Sequence, residues 1–67
     1  MGTQKQLGKN IKKAREQSGM TQEQVAEKAG IHTNYFARLE RGEQTPSFEV
    51  LEAVAKALKV TQAELVS

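Results

Sequence analysis

The chain has 67 residues, a length that allows one domain and buries only about 60% of the surface exposed by the unfolded chain. It has no cysteine, which excludes disulfide bonds and thiolate metal sites, and no apolar run nears the roughly 18 residues of a membrane span. The net charge is +2, but residues 1–41 carry eight Lys and Arg against four Glu, whereas residues 42–67 carry two against four. We therefore expect one domain over residues 1–67 in the cytoplasm, with a basic end typical of proteins that bind a polyanion.

Start and stop signals predict an all-α fold of five helices. Thr3, Thr21 and Thr61 each precede a Gln or Glu by three residues, which is the spacing of a capping box. Gly residues follow the first three segments, and Ser47 precedes the fourth. The predicted helices are residues 4–18, 22–29, 33–41, 48–58 and 62–66, and we expect them to pack as one compact five-helix domain.

Apolar residues recur at helical spacing and identify the side of each helix that faces the core. The first helix carries a narrow stripe, and the fourth carries a wider one that begins at Phe48. The expected core residues are Leu7, Ile11, Ala14, Val25, Ala26, Ala29, Phe36, Leu39, Phe48, Leu51, Val54, Ala55 and Leu58.

The joint between the second and third helices is too short for a hairpin of long helices. Gly30 can adopt the positive φ that a sharp turn requires, and Ile31 can fill the gap between the two helices. Two short helices joined in this way cross steeply, so the sequence predicts a helix-turn-helix over residues 22–41.

One side of the third helix is polar and free of large apolar residues. At about 100° per residue, these positions fall within an arc of roughly 140°. They are Thr33, Asn34, Ala37, Arg38 and Arg41. Threonine can contact a thymine methyl, asparagine can pair with adenine and arginine with guanine, and a small alanine lets the helix approach the bases. The alternative is an ordinary solvated helix face.

Three further features have two interpretations each. Gln22 begins the second helix, where free N–H groups favour an anion, so it is a candidate phosphate contact or a solvated residue beside a plain Thr21–Gln24 cap. His32, the single histidine, lies at the turn and is a candidate phosphate contact or a solvated turn residue. Arg15 and Glu40 can form a buried ion pair between the first and third helices, or can both face water.

Residues 7–65 resemble the phage repressor and Cro type of helix-turn-helix regulator, the Xre family. The resemblance is carried by residues 8–15 (GKNIKKAR), 20–30 (MTQEQVAEKAG), 35–42 (YFARLERG), 46–48 (PSF) and 55–58 (AKAL). It covers nearly the whole chain, although the family usually has an aliphatic residue where this sequence has Phe36. A fold like that of lambda repressor is implied.

The resemblance also implies roles for individual residues. Base contacts are implied for Thr33 and Asn34, and a base or backbone contact for Arg38. Phosphate contacts are implied for Gln22 and Arg41, and Tyr35 is similar to a family tyrosine near the DNA backbone. The Arg15–Glu40 ion pair is also a family feature.

One module of this size cannot select a single operator, because three or four base contacts at about 1–3 kcal/mol each give too little discrimination. Two copies on a two-fold axis would double it. The candidate dimer interface consists of apolar residues in excess of one core stripe, namely Val50, Ala53, Ala57, Leu65 and Val66. The alternative is that these residues close the thin core.

The sequence therefore predicts a regulator that binds double-stranded DNA sequence-specifically as a homodimer on a palindromic operator. An enzyme is disfavoured, because one histidine with no cysteine and no aspartate offers no catalytic set. We expect no cofactor, no metal, no small-molecule substrate and no membrane partner. An antitoxin or protein-interaction module with the same fold is the alternative. A phage repressor or a restriction-modification controller is the expected type of regulator, and residues 29–32 followed by Tyr35 suggest the controller.

Overall fold

Five helices make up most of residues 3–67, which is the part of the chain that the computed structural model describes. The first two residues of the predicted domain lie outside it. The helices are α1 (Gln4–Ser18), α2 (Gln22–Ala29), α3 (Thr33–Arg41), α4 (Phe48–Leu58) and α5 (Gln62–Val66), and residues 3–67 contain no strand. The predicted all-α, five-helix fold is confirmed. No helix within this described part is both long and apolar enough to cross a membrane.

Side-chain caps define where the helices begin. The Thr21 and Thr61 capping boxes are complete, with reciprocal hydrogen bonds to Gln24 and Glu64. The box predicted at Thr3 is wrong in its second half, because the Gln6 side chain donates to Asn10 Oδ1 at 3.0 Å instead of returning to the N-cap. Its partner Asn10 in turn donates to the backbone carbonyls of residues 65 and 67, at 2.8 and 3.0 Å. This polar chain joins α1 to the end of α5.

The core draws on all five helices. Its most deeply buried side chains are Ile11, Val25, Phe36, Leu39, Val54 and Leu65, each with less than 2% of its surface exposed. Within this core α1 packs on α3, α2 packs on α4, and α5 closes against α1.

Phe48 was expected in the core, and this prediction is wrong because 69% of its surface is exposed. It shares a helix face with the buried Ala55, but it lies seven residues earlier, about 10 Å along the helix axis. The first turn of α4 therefore extends past the edge of the core. An exposed aromatic side chain at this position is available for an intermolecular contact.

The contact between α1 and α3 is unusually close. A Cβ atom at Gly8 would lie 2.5 Å from the backbone oxygen of Leu39 and 2.6 Å from that of Glu40. Only glycine allows the α1 backbone to rest directly on the last turns of α3. This approach fixes one side of α3 against the domain, so the opposite side faces outward.

Candidate nucleic-acid interface

The turn between α2 and α3 is held by backbone hydrogen bonds. Gly30 has a φ of +74°, and its N–H donates to the carbonyl of Glu27 at 3.2 Å. The N–H of Ile31 donates to the carbonyl of Ala26 at 3.0 Å, which completes a Schellman motif. The Ile31 side chain packs against the core, as the sequence led us to expect. The turn therefore sets a fixed angle between the two helices.

The helix α3 is anchored on one side and open on the other. Phe36 and Leu39 are 0% and 1% exposed and hold the helix in the core. On the opposite side Asn34, Arg38 and Arg41 are exposed.

The other predicted contact residues of this region lie on the open side or next to it. Thr33 and Ala37 lie on it and are half-buried. His32 is the N-cap of α3, is exposed and makes no capping hydrogen bond through its side chain. Tyr35 is half-buried and packs against the edge of the core. The structure thus brings the predicted base-contacting residues, together with Arg41, a predicted phosphate contact, onto one outward surface, which we call the recognition face (Thr33, Asn34, Ala37, Arg38 and Arg41).

Arg15 and Glu40 form an ion pair between α1 and α3. Arg15 Nε lies 2.6 Å from Glu40 Oε2, and Arg15 Nη2 lies 3.3 Å from Oε1. The side chains are 15% and 3% exposed, and a further N–H of Arg15 donates to the carbonyl of Met20 at 3.1 Å. The hydrogen bond to Glu40 raises the pKa of Arg15 above its ordinary value. This pair fixes the C-terminal half of α3 to α1.

Gln22 joins the same network, a contact that sequence reasoning missed. Its Nε2 donates to Glu40 Oε1 at 2.7 Å, so α2 is tied to α3 through the carboxylate that also binds Arg15. A primary amide has two N–H donors and a carbonyl oxygen, so the contact with Glu40 uses only part of its capacity. The side chain of Gln22 is therefore oriented at the start of α2, rather than free in solvent.

Arg41 has a partner that the sequence did not indicate. Its Nε and Nη2 donate to the two carboxylate oxygens of Glu43 at 3.0 and 3.1 Å. The arginine and glutamate side chains are 57% and 53% exposed. These hydrogen bonds raise the pKa of Arg41 and lower that of Glu43, and Arg38 adds a further electrostatic lowering at Glu43. The only sequence signal is an Arg-Gly-Glu order across the end of α3.

The predicted dimer residues do not form one surface. Leu65 is 1% exposed because it fills the core between α5 and α1, which fits the alternative that these residues close the core. Ala53 and the largely buried Ala57 line a shallow hollow that is bordered by lysines (Lys28, Lys56 and Lys59). Val66, which is 50% exposed, lines a different hollow.

Two short helices at a fixed turn, with the second presenting a polar face, define a helix-turn-helix domain. A model of the helix-turn-helix family HTH_3 matches residues 11–65, and the chain belongs to this family. The family resemblance seen in the sequence is thereby confirmed.

Known proteins similar to the chain are regulators. An uncharacterised HTH-type transcriptional regulator of Sinorhizobium fredii is 37% identical over 67 residues, which cover 100% of the chain and 87% of that protein. The structure of the restriction-modification controller protein C.AhdI from Aeromonas hydrophila superposes with a TM-score of 0.90 at 27% identity, covering 92% of this chain and 94% of that one. The structure of the biofilm regulator SinR, solved in complex with DNA, superposes with a TM-score of 0.86 at 35% identity, covering 91% of this chain and 98% of that one.

The chain spans half or less of several other curated relatives, which are longer regulators. These relatives are HTH-type transcriptional regulators and a phage immunity repressor. The chain is a helix-turn-helix regulator of this kind.

Proposed function

We propose that the chain binds double-stranded DNA sequence-specifically as a homodimer, with α3 of each copy in the major groove of one half of a palindromic operator. The observation that carries this proposal is the two-sided character of α3. Its apolar side is almost wholly buried at Phe36 and Leu39, whereas its other side presents polar and basic groups to solvent. A rigidly anchored helix with such a face suits insertion into a groove.

Direct base contacts are assigned to four residues of the recognition face (Thr33, Asn34, Ala37 and Arg38). Asn34 lies in the first turn of α3 and can bond an adenine through its amide, and Arg38, one turn later, can bond a guanine through two N–H groups. Thr33 can contact a thymine methyl. Ala37, between these side chains, adds little bulk and allows the helix axis to come close to the base edges. These contacts set the sequence preference.

Phosphate contacts are assigned to Arg41, at the C-terminal end of this face, and to the residues that border it. Gln22 begins α2, where its oriented amide and the free backbone N–H groups can hold a phosphate oxygen. Arg41 is assigned a second phosphate, and Tyr35 and His32 are assigned contacts to the backbone near the start of α3. Such contacts hold the register of the protein on DNA and carry little sequence information.

The size of the domain is compatible with a homodimer on such an operator. The domain measures 29 × 20 × 20 Å, whereas half-sites one helical turn apart are separated by roughly 34 Å. Two copies in contact can therefore place one α3 in each of two successive major grooves. Doubling the base contacts gives the discrimination that one copy lacks.

Exposed apolar side chains are the candidates for the proposed dimer contact. Phe48 and Val66 are the exposed large apolar residues of the described chain. Val66 lines a hollow with Leu7 and Thr45, and Phe48 follows Thr45 by three residues in the sequence. The surface at Ala53 is less suitable, because a two-fold contact would bring its bordering lysines against those of the second copy. We therefore assign Phe48 and Val66 to the dimer contact, in place of Leu65.

Selection of bound duplexes from a random pool tests the proposal. We expect an inverted repeat whose half-sites lie about one helical turn apart, and binding that weakens steeply as salt rises from about 50 to 200 mM. Enrichment of a single, non-repeated half-site would contradict the homodimer. A flat salt profile with no enriched sequence would contradict DNA binding itself.

A further inference from the structure

The position of Glu43 beside the recognition face is fixed by the backbone. Gly42 has a φ of +76°, which turns the chain back at the end of α3, and the N–H of Glu43 donates to the carbonyl of Arg38 at 2.9 Å. The turn is also held to α1, since Gln4 donates to the carbonyl of Gly42 at 2.6 Å and a Cβ there would lie 2.8 Å from the Cα of Lys5. The backbone of Glu43 is therefore held where its carboxylate can reach Arg41.

This carboxylate occupies one of the pairs of donors that Arg41 can offer to a phosphate. Two parallel N–H···O bonds from a guanidinium are the geometry in which arginine binds carboxylates and phosphates alike. Arg41 cannot offer Nε and Nη2 to a phosphate while both are bonded to Glu43. A phosphate that takes these two donors must displace Glu43, and one that binds the remaining N–H groups of Arg41 must sit beside its carboxylate.

We propose that Glu43 competes with DNA phosphate for Arg41 and so limits the affinity of the interface. The inference rests on the proposed function, because it assumes that Arg41 contacts phosphate. Glu43 acts in two ways, by occupying Arg41 in the free protein and by repelling the DNA backbone in the complex. Because the first effect requires Arg41 and the second does not, the two can be separated.

The test is a double-mutant cycle with Glu43→Gln, Arg41→Ala and the double variant. Affinity is measured by fluorescence anisotropy on a mixed-sequence duplex of about 30 base pairs, since phosphate contacts do not depend on the operator sequence. Glu16→Gln is the charge-matched control, because this exposed glutamate of α1 makes no side-chain hydrogen bond within residues 3–67.

We expect Glu43→Gln to bind the duplex about three- to tenfold more tightly at about 50 mM salt, and the gain to shrink at about 200 mM. Glu16→Gln should gain clearly less. In the Arg41→Ala background most of the gain from Glu43→Gln should disappear. In the free protein, the Nε–H resonance of Arg41 should shift when Glu43 is replaced by glutamine and stay in place in the Glu16→Gln variant.

Each alternative result has a distinct meaning. An equal gain with and without Arg41 would reduce Glu43 to a general repulsive charge and would overturn the inference, as would a gain no larger than that of Glu16→Gln. Both results would leave the proposed function intact, since they require a wild-type chain that binds the duplex. A wild-type chain that fails to bind any duplex at low salt would overturn the proposed function and the inference together.

Discussion

Replacing Arg15 by methionine removes the cation of the ion pair between α1 and α3 while it keeps much of the side-chain volume. Glu40 is 3% exposed, so its carboxylate would stay buried with Gln22 as its remaining side-chain partner. Removing one member of a buried ion pair costs about 3–5 kcal/mol. A domain of 67 residues has a free energy of unfolding of only about 3–10 kcal/mol. We therefore expect Arg15→Met to melt at least about 12 °C below the wild type.

Thermal and urea unfolding, followed by the circular dichroism of the helices, measure this loss. Arg41→Met is the matched control, because its ion pair is exposed and should contribute little to folding. The double variant Arg15→Met/Glu40→Met should recover part of the stability, since it leaves no unpaired buried charge. A melting temperature of Arg15→Met within about 3 °C of the wild type would refute the reasoning.

Three further predictions concern packing, assembly and recognition. Gly8→Ala should destabilise the domain despite the better helix propensity of alanine, because its Cβ would meet backbone oxygens at 2.5 Å. Urea unfolding measures this loss of stability, and Lys9→Ala on the same helix is the control. Phe48→Ser should weaken self-association in sedimentation without lowering the melting temperature, and an unchanged dimer would remove Phe48 from the interface. In duplex selection, Asn34→Ala should relax the sequence preference, whereas Arg41→Ala should weaken binding to all duplexes alike. The reverse pattern would assign the base contact to Arg41 and the phosphate contact to Asn34.

The helices and the turn could be predicted because their signals are local. A capping box such as that of Thr21 needs residues only three positions apart, and the turn at Gly30 needs one residue with positive φ. The two sides of α3 follow from helical periodicity alone, since Phe36 and Leu39 fall opposite Asn34 and the arginines. Local geometry therefore sufficed to identify the recognition face.

Contacts between distant or competing side chains could not be predicted in the same way. The hydrogen bond from Gln22 to Glu40 depends on how α2 and α3 are packed. The Gln6 side chain could bond either to its own N-cap or to Asn10, at similar sequence distances, and it bonds to Asn10. Phe48 has the spacing of a core residue, but the core ends before the first turn of α4. Burial depends on where neighbouring elements stop, which periodicity within one helix does not encode.

The most direct test of the account is a titration of the isotope-labelled protein with the selected duplex, in which NMR monitors the backbone and side-chain signals. Insertion of α3 into the major groove predicts that the largest shift changes fall at residues 32–41 and at the start of α2, with Asn34 and Arg38 side-chain signals changing most. Changes confined to the opposite side of the domain, with the α3 signals unmoved, would contradict it.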